Sequence, residues 1–256
     1  MRNNGMGEKE MQDRLFSDRQ LIKLMIPLVI EQGLTILVGM CDGVMVSAVS
    51  EAAISGVSLV DMINAVILVL FAALATGGAV VTSQLLGARR TADARRSAGQ
   101  LVSLTFAMGC LMMALCLIFA RGLLRLFFGS IADDVMAAGL IYLRITALSF
   151  PFIALYNAGA AIFRSVGNSK VSMQVSLWMN GINVAGNALC VFVLKMGVAG
   201  VAVPTLVSRA VAAVMILTMA SRKGQELTLD ASSLYPIDRQ VMGKILRIGI
   251  PSACEN

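Results

Sequence analysis

The chain of 256 residues is far more apolar than a soluble domain, because 57% of its residues are hydrophobic, 14% are charged and the mean hydropathy is +0.80, whereas soluble domains have about 25% charged residues. It contains no histidine, which excludes histidine-based zinc sites, His-dependent catalytic triads and imidazole proton relays. No G-x-x-x-x-G-K-[ST] motif is present, so ATP hydrolysis is not expected, and the net charge of +6 is interpreted as membrane topology rather than nucleic acid binding.

Apolar runs predict six membrane spans in chain order, at 21–49, 52–86, 98–120, 135–163, 171–194 and 198–220. Sixteen Lys and Arg residues lie before or at the very start of the first span, in the second and fourth connections and after the sixth span, against three in the other connections. This bias predicts a multi-pass protein of the cell (inner) membrane with both ends of the six-helix unit in the cytoplasm. A signal peptide is not expected, because a polar segment precedes the first span.

The first span carries two acidic residues and a proline. A carboxylate at membrane depth costs about 2.5 kcal/mol or more, which makes Asp42 and Glu31 functional candidates. Eleven residues separate them, so a helix places both on one face, about 16 Å apart along its axis. Pro27 lies one turn before Glu31 and removes an internal hydrogen bond, so the helix is expected to bend there.

Further polar side chains lie in the second and fifth spans. The second span has 35 residues, or about 50 Å of straight helix, so Asp61 is expected near the outer boundary and is a secondary candidate for ion coupling. In the fifth span, Asn180, Asn183 and Asn187 fall at i, i+3 and i+7, on one helical face. Polar side chains in lipid turn toward a neighbouring helix or a wet cavity. The sequence leaves open whether this face joins helices or binds a ligand.

Depth favours a binding role for part of this set. Counted from the cytoplasmic ends, Asp42 is roughly 30 Å and Asn187 roughly 24 Å along its helix, while Thr205 is about 12 Å from the outer end of the sixth span. All three belong to the outer half of the membrane. We therefore predict that Asp42, Asn183, Asn187 and Thr205 converge on one polar pocket.

The chain repeats a short pattern after its sixth span. Residues 20–32 match 244–256 at a constant offset of 224, pairing Pro27 with Pro251 and Glu31 with Glu255. Because six spans separate the two copies, both enter the membrane from the same side, and the repeats are parallel.

This repeat divides the chain. We expect a cytoplasmic amino-terminal segment, a six-helix transmembrane lobe, a cytoplasmic linker and the incomplete start of a second repeat, at 1–20, 21–220, 221–238 and 239–256 respectively. Since the sequence stops inside the seventh apolar run, we expect it to be the first half of a longer protein, truncated in helix seven.

Five sequence stretches occur together in a characteristic order. They are VGMCDGVMV around Asp42, FAALATGGAVVTSQLLGAR at 71–89, YLRI at 142–145, FRSVGNSK at 163–170 and KMGVAGVAVPTLVSR at 195–209. Together they resemble the multidrug and toxic compound extrusion (MATE) family of efflux transporters. The resemblance implies an all-α membrane protein of twelve helices in two six-helix lobes around a central cavity, of which this chain covers the first lobe.

The resemblance also implies a function. Members of the family export amphipathic or cationic organic compounds by antiport against H⁺ or Na⁺, so we expect a transporter rather than an enzyme. It implies no cofactor and no nucleic acid partner; the expected partners are a small-molecule substrate, membrane lipid and the second lobe of the same full-length chain.

Site residues follow from the resemblance one position at a time. Asp42 matches the cation-coupling aspartate of the amino-terminal lobe, and Pro27 the proline linked to bending of helix one. Asn183, Asn187 and Thr205 match the polar positions beside it. Because the position of Asn187 is an aspartate in some archaeal relatives, the choice between H⁺ and Na⁺ stays open, and Na⁺ at Asp42 is the only metal considered. Four residues are kept as secondary candidates: Glu31, Asn180, Asp61 and Glu255.

The expected mechanism is alternating access, in which Asp42, shielded from water, exchanges a proton or Na⁺ with the outside and helix one bends at Pro27. One alternative is a flippase for lipid-linked precursors, which should place several cationic side chains in its cavity, whereas only Arg144 and Arg209 are candidates for that position. The other is a non-transporting membrane scaffold, which would not need Asp42 or the asparagine face. The sequence specifies neither the substrate nor the coupling ion.

Overall fold

The computed structural model describes residues 18–222, 227–230 and 239–255, and the chain folds there into helices joined by short connections. The helices are α1 Asp18–Ser47, α2 Glu51–Gly87, α3 Thr91–Phe128, α4 Asp133–Leu148, α5 Phe150–Ser165, α6 Ser169–Ala188, α7 Ala199–Ala220 and α8 Arg239–Glu255. A turn of π-helix, Leu189–Val193, continues α6. The described residues contain no β-strand.

These helices account for the six predicted spans. By length and apolar composition, α1, α2, α3, α6 with its π-helical turn, and α7 can each cross a membrane, and α4 with α5 makes a sixth, bent crossing. The helices extend beyond some of the apolar runs, most of all in α3, which begins seven residues before the predicted span 98–120 and ends eight after it. Hydropathy marks the part of a helix that suits lipid, not where its backbone hydrogen bonding stops.

The fourth crossing differs from a single straight helix. Its two halves, α4 and α5, meet at an angle of 46°. Pro151 stands in the first turn of α5, where its missing N–H breaks no bond within α5 but cannot continue the hydrogen bonding of α4. The hydroxyl of Ser149, between the two helices, donates to the carbonyl of Thr146 at 2.6 Å. The local sequence therefore favours a bend at this point.

Helix ends follow ordinary capping chemistry. The side chain of Ser50 accepts a hydrogen bond from the amide of Ala53 at 3.0 Å and starts α2. Gly129, after α3, and Gly167, after α5, have φ values of 69° and 75°, a region that glycine enters without the cost of a Cβ.

The core is built around α2, which packs against α3, α4, α5 and α8. Phe71 of α2 and Phe150 of α5 are both fully buried, and their rings meet edge to face with centroids 6.2 Å apart. Such aromatic pairs contribute about 0.5–1.5 kcal/mol beyond the area that they bury. They fix α2 against the bend of the fourth crossing.

Small residues bring helices close together at two places. A Cβ on Gly186 of α6 would lie 2.7 Å from the Cβ of Pro204 of α7, and a Cβ on Gly77 of α2 would lie 2.9 Å from the amide nitrogen of Gly249 of α8. Membrane helices commonly use such small residues for close packing. The first contact sets the spacing of α6 and α7, and the second seats α8 on α2.

Helix α1 lies at one side of the bundle and packs mainly against α6. Many of its large apolar side chains are exposed, including Leu37 (59%), Met40 (65%) and Val44 (70%). Exposed apolar surface of this extent is what a membrane-spanning helix presents to lipid.

Parts of the predicted domain division lie outside the described residues. These are 1–17 of the amino-terminal segment, 223–226 and 231–238 of the linker, and Asn256 of the second repeat. Within the described part, α8 is helical through Pro251, as α1 is through Pro27.

Candidate functional site

The structure brings Asp42 together with the polar residues of α6 and α7. The side-chain amide of Asn187 donates to Asp42 Oδ1 at 2.7 Å and to Asn183 Oδ1 at 3.2 Å. Asn183 Nδ2 donates in turn to Thr205 Oγ1 at 2.9 Å, and the Thr205 hydroxyl donates to the carbonyl of Val201 at 2.9 Å. One hydrogen-bonded chain thus connects α1, α6 and α7.

Local sequence explains why these side chains meet. Asn183 and Asn187 are one turn apart on the same face of α6. Gly186, between them in sequence, lets α6 approach α7 beside Pro204, which precedes Thr205. Asp42 is half-buried, whereas Asn187 is fully buried. The carboxylate therefore reaches from the edge helix into the bundle.

One oxygen among these hydrogen-bonded side chains has no donor in the described ranges. Asn187 Oδ1 is buried and has no hydrogen-bond partner in the part of the chain that the structure describes. A buried carbonyl oxygen without a donor is costly, by about 1–3 kcal/mol. Beside a carboxylate, it offers an oxygen to a proton donor or to a cation.

Asn180 does not join this chain, although it lies on the same face of α6. Its side-chain amide donates to Ser176 Oγ, one turn earlier on its own helix, at 3.2 Å. Spacing along the helix groups Asn180 with Asn183 and Asn187, but the hydrogen bonds separate it from Asp42.

A second polar group lies around Asp61 of α2, on the wall of the same cavity as Asp42. Asn64 Nδ2 donates to Asp61 Oδ1 at 3.3 Å, and the buried hydroxyl of Tyr142 is hydrogen-bonded to the same carboxylate. Arg209 of α7 donates from Nη1 to Ser149 Oγ at 2.8 Å and is close enough to attract both Asp61 and Asp42. Arg209 is therefore a cationic side chain within electrostatic range of both carboxylates.

Glu31 has partners of its own. The hydroxyl of Tyr156 of α5 donates to Glu31 Oε1 at 2.7 Å, and that of Ser172 of α6 donates to Glu31 Oε2 at 3.2 Å. Tyr156 is 4% exposed and Ser172 is fully buried. Glu31 thus joins α1 to two helices, at a second level of the bundle.

A single cavity of about 1230 Å³ joins these groups. The three acidic residues on its wall are Glu31, Asp42 and Asp61. Its other polar walls include Tyr142, Tyr156, Arg164 and Arg209, and much of the rest is apolar. At this volume it exceeds the usual range for small-molecule sites, about 300–1,000 Å³.

Two other predicted residues take no part in these contacts. Pro27 lies inside α1, which is one continuous helix from Asp18 to Ser47, so bending there stays a prediction. The side chain of Glu255 lies outside the described residues, although its backbone ends α8. Among the residues that the structure describes, no three His, Cys, Asp or Glu side chains are grouped to hold a metal ion.

Sequence reasoning did not identify Tyr142, Tyr156 or Ser172 as residues of this site, and it considered Arg209 only as a cavity cation for the flippase alternative. A signal was available, because a buried tyrosine hydroxyl needs a partner and an arginine at membrane depth needs a counter-charge. Which acid each one meets depends on tertiary packing.

Comparison with known proteins gives a consistent result. The family model MatE matches residues 27–189. The chain is 31% identical over 252 residues to YisQ of Bacillus subtilis (strain 168), described as an uncharacterized transporter, covering 96% of this chain and 54% of that protein. It is 29% identical to a probable multidrug resistance protein, NorM, of Thermotoga maritima, covering 93% and 51%.

Solved structures agree. A crystal structure of MATE in the bent conformation matches 91% of this chain and 52% of its own, with a TM-score of 0.84 and 25% identity. The chain spans about half the length of the curated relatives that it matches.

Proposed function

The chain belongs to the MatE family, the multidrug and toxic compound extrusion transporters, and we propose that it serves to export amphipathic or cationic organic compounds in exchange for H⁺ or Na⁺. The observation that carries this proposal is the 2.7 Å hydrogen bond from Asn187 Nδ2 to Asp42 Oδ1. It links a membrane-depth carboxylate on the edge helix α1 to the interior of the bundle.

Asp42 is proposed as the residue that binds the coupling ion. In the ion-free form its carboxylate accepts the hydrogen bond from Asn187, which ties α1 to α6. A proton or Na⁺ on the carboxylate removes its negative charge and competes for the same oxygen. Binding the ion therefore replaces the hydrogen bond from Asn187 Nδ2 with a contact to Asn187 Oδ1, and α1 is held differently in the two forms.

The oxygens around Asp42 suit either ion. Asn187 Oδ1, buried without a partner among the described residues, could accept a hydrogen bond from a protonated carboxyl group. The same oxygen, with the carboxylate of Asp42, could also ligate Na⁺. Asn183 accepts a hydrogen bond from the side-chain amide of Asn187 and donates one to Thr205. These bonds hold the amide of Asn187 in place.

Helix one is proposed as the moving part. A ligand shifts a conformational equilibrium only by its differential affinity for the two states, and a hydrogen bond to a charged group is worth about 1.5–3 kcal/mol. Pro27 leaves one backbone carbonyl of α1 without its usual partner, which lowers the cost of bending there. The membrane gradient supplies about 2.3 kcal/mol per charge per 100 mV.

The charges on the cavity wall favour a cationic substrate over a lipid-linked pyrophosphate. Of the two arginines inside the predicted spans, Arg209 lines the cavity and Arg144 is exposed and does not. Arg209 is within electrostatic range of Asp42 and Asp61. The cavity wall carries three acidic residues, Glu31, Asp42 and Asp61, and two arginines, Arg164 and Arg209. This acidic excess supports an exporter of cations over a flippase for pyrophosphate-bearing lipids, which would need several cationic side chains there.

A transport measurement tests the proposal. The protein is expressed from its complete reading frame, reconstituted in vesicles with a fluorescent organic cation inside, and given a proton gradient or a Na⁺ gradient separately. We expect one of the gradients to accelerate dye efflux above its rate without a gradient. Efflux that neither gradient accelerates, or scrambling of a labelled lipid without dye efflux, would contradict the proposed antiport.

A further inference from the structure

Glu31 is a carboxylate that the proposed ion coupling does not use. It lies on α1 eleven residues before Asp42, or about 16 Å away along the helix axis. It lines the same cavity. Because the two carboxylates lie at different levels of one cavity, they can have different roles.

The hydrogen bonds of Glu31 fix its side chain without filling its capacity. Tyr156 donates to one carboxylate oxygen at 2.7 Å, and the Ser172 hydroxyl, 3.2 Å from the other oxygen, shares its single proton with the carbonyl of Ser169 at 3.0 Å. An ionised carboxylate accepts about four hydrogen bonds. The two hydroxyls therefore hold the group in one orientation and leave acceptor positions free.

The negative charge of Glu31 has no direct counter-ion in the part of the chain that the structure describes. Arg164 lines the same cavity, and it interacts electrostatically with the hydroxyl of Tyr156, but it makes no ion pair with Glu31. A charge at membrane depth that lacks a counter-ion is costly and marks a functional site. A ligand that brings a positive charge would supply what is missing.

The surroundings of Glu31 favour an organic cation over a metal ion. Among the described residues, its carboxylate oxygens contact two hydroxyls, those of Tyr156 and Ser172. A hard cation such as Ca²⁺ gathers about 6–8 oxygens. Leu28, one turn before Glu31, and Ile153, one turn before Tyr156, give this part of the cavity an apolar wall.

From this geometry we propose that Glu31 binds the positive charge of an organic monocation whose apolar body lies in the cavity, at a level of the bundle separate from Asp42. This inference rests on the proposed function, because a substrate-binding role for Glu31 presupposes that the protein exports organic cations. It makes Glu31 a substrate-binding residue and leaves the coupling ion to Asp42.

Equilibrium binding without any gradient tests the inference. Protein expressed from its complete reading frame is purified in detergent and titrated with tetraphenylphosphonium and with its uncharged analogue triphenylphosphine oxide. We expect Glu31→Gln to weaken tetraphenylphosphonium binding about tenfold, slightly more than the loss of a fully exposed ion pair. Binding of the uncharged analogue should be unchanged.

Two controls separate charge from structure. Glu51→Gln makes the same change at an exposed residue that does not line the cavity, and it should alter neither affinity. Tyr156→Phe and Ser172→Ala remove the hydroxyls but keep the carboxylate. These two variants should keep the preference for the cation.

Four results would overturn the inference. The first is that the wild-type protein does not bind tetraphenylphosphonium, and the second is that Glu31→Gln weakens the binding of neither ligand or of both equally. The third is that Tyr156→Phe or Ser172→Ala shows the same selective loss of tetraphenylphosphonium binding. The fourth is that Glu31→Gln loses binding of radioactive Na⁺ and keeps its binding of tetraphenylphosphonium. Because no gradient is applied, a failure of ion-driven efflux would count against the proposed function and would leave this result standing.

Discussion

Replacing Asn187 with alanine should uncouple the ion from the movement of α1. The side-chain amide of Asn187 makes the only side-chain hydrogen bond to Asp42 among the described residues, at 2.7 Å. Hydrogen bonds to charged groups are worth about 1.5–3 kcal/mol, and a tenfold change corresponds to about 1.4 kcal/mol. If this bond exists only in the ion-free form, its loss reduces the coupling between ion and conformation by about 10- to 150-fold.

Dye efflux from vesicles measures this coupling as the ratio of the rate with an ion gradient to the rate without one. Asn180→Ala is the matched control, because it removes the same side chain from the same face of α6, where the amide donates, among the described residues, only to Ser176 of its own helix. We expect a normal ratio for Asn180→Ala and a ratio near one for Asn187→Ala. Equal losses in both variants, or a normal ratio in Asn187→Ala, would refute the reasoning.

Two predictions concern packing. Gly186→Ala should push α6 away from α7, since its Cβ would lie 2.7 Å from the side chain of Pro204. We expect a lower melting temperature in detergent and weaker ion-driven efflux. Gly181→Ala is the control, because its Cβ meets nothing within 4 Å, and it should keep the wild-type melting temperature and efflux. Thr82 and Ser97 share a buried hydrogen bond of 3.1 Å between α2 and α3, so a double-mutant cycle of Thr82→Val and Ser97→Ala should give a coupling of about 0.6–1.7 kcal/mol. Additive effects would show that this bond adds no stability.

Hydropathy and helical periodicity were enough to predict the helical crossings and to bring Asp42, Asn183, Asn187 and Thr205 to one depth. Depth along a helix follows from counting residues, because the rise per residue is fixed. For the same reason Asn183 and Asn187 could be placed on one face. Their roles stay predictions.

Other features depend on contacts that counting cannot supply. Glu31 is 125 residues from Tyr156 and 141 from Ser172, and these partners are set by how α1 packs against α5 and α6. Asn180 has the right spacing but a partner within its own helix. The sharp bend between α4 and α5 could have been suspected from Pro151, whereas its angle depends on packing against α2.

The most direct test of the central claim is ion-driven efflux by Asp42→Asn, which keeps the shape of the side chain and removes its charge. Vesicles carrying this variant should show no acceleration of dye efflux by either a proton or a Na⁺ gradient, while the purified variant still binds the substrate. Acceleration equal to that of the wild-type protein would contradict the claim that Asp42 couples the ion to transport.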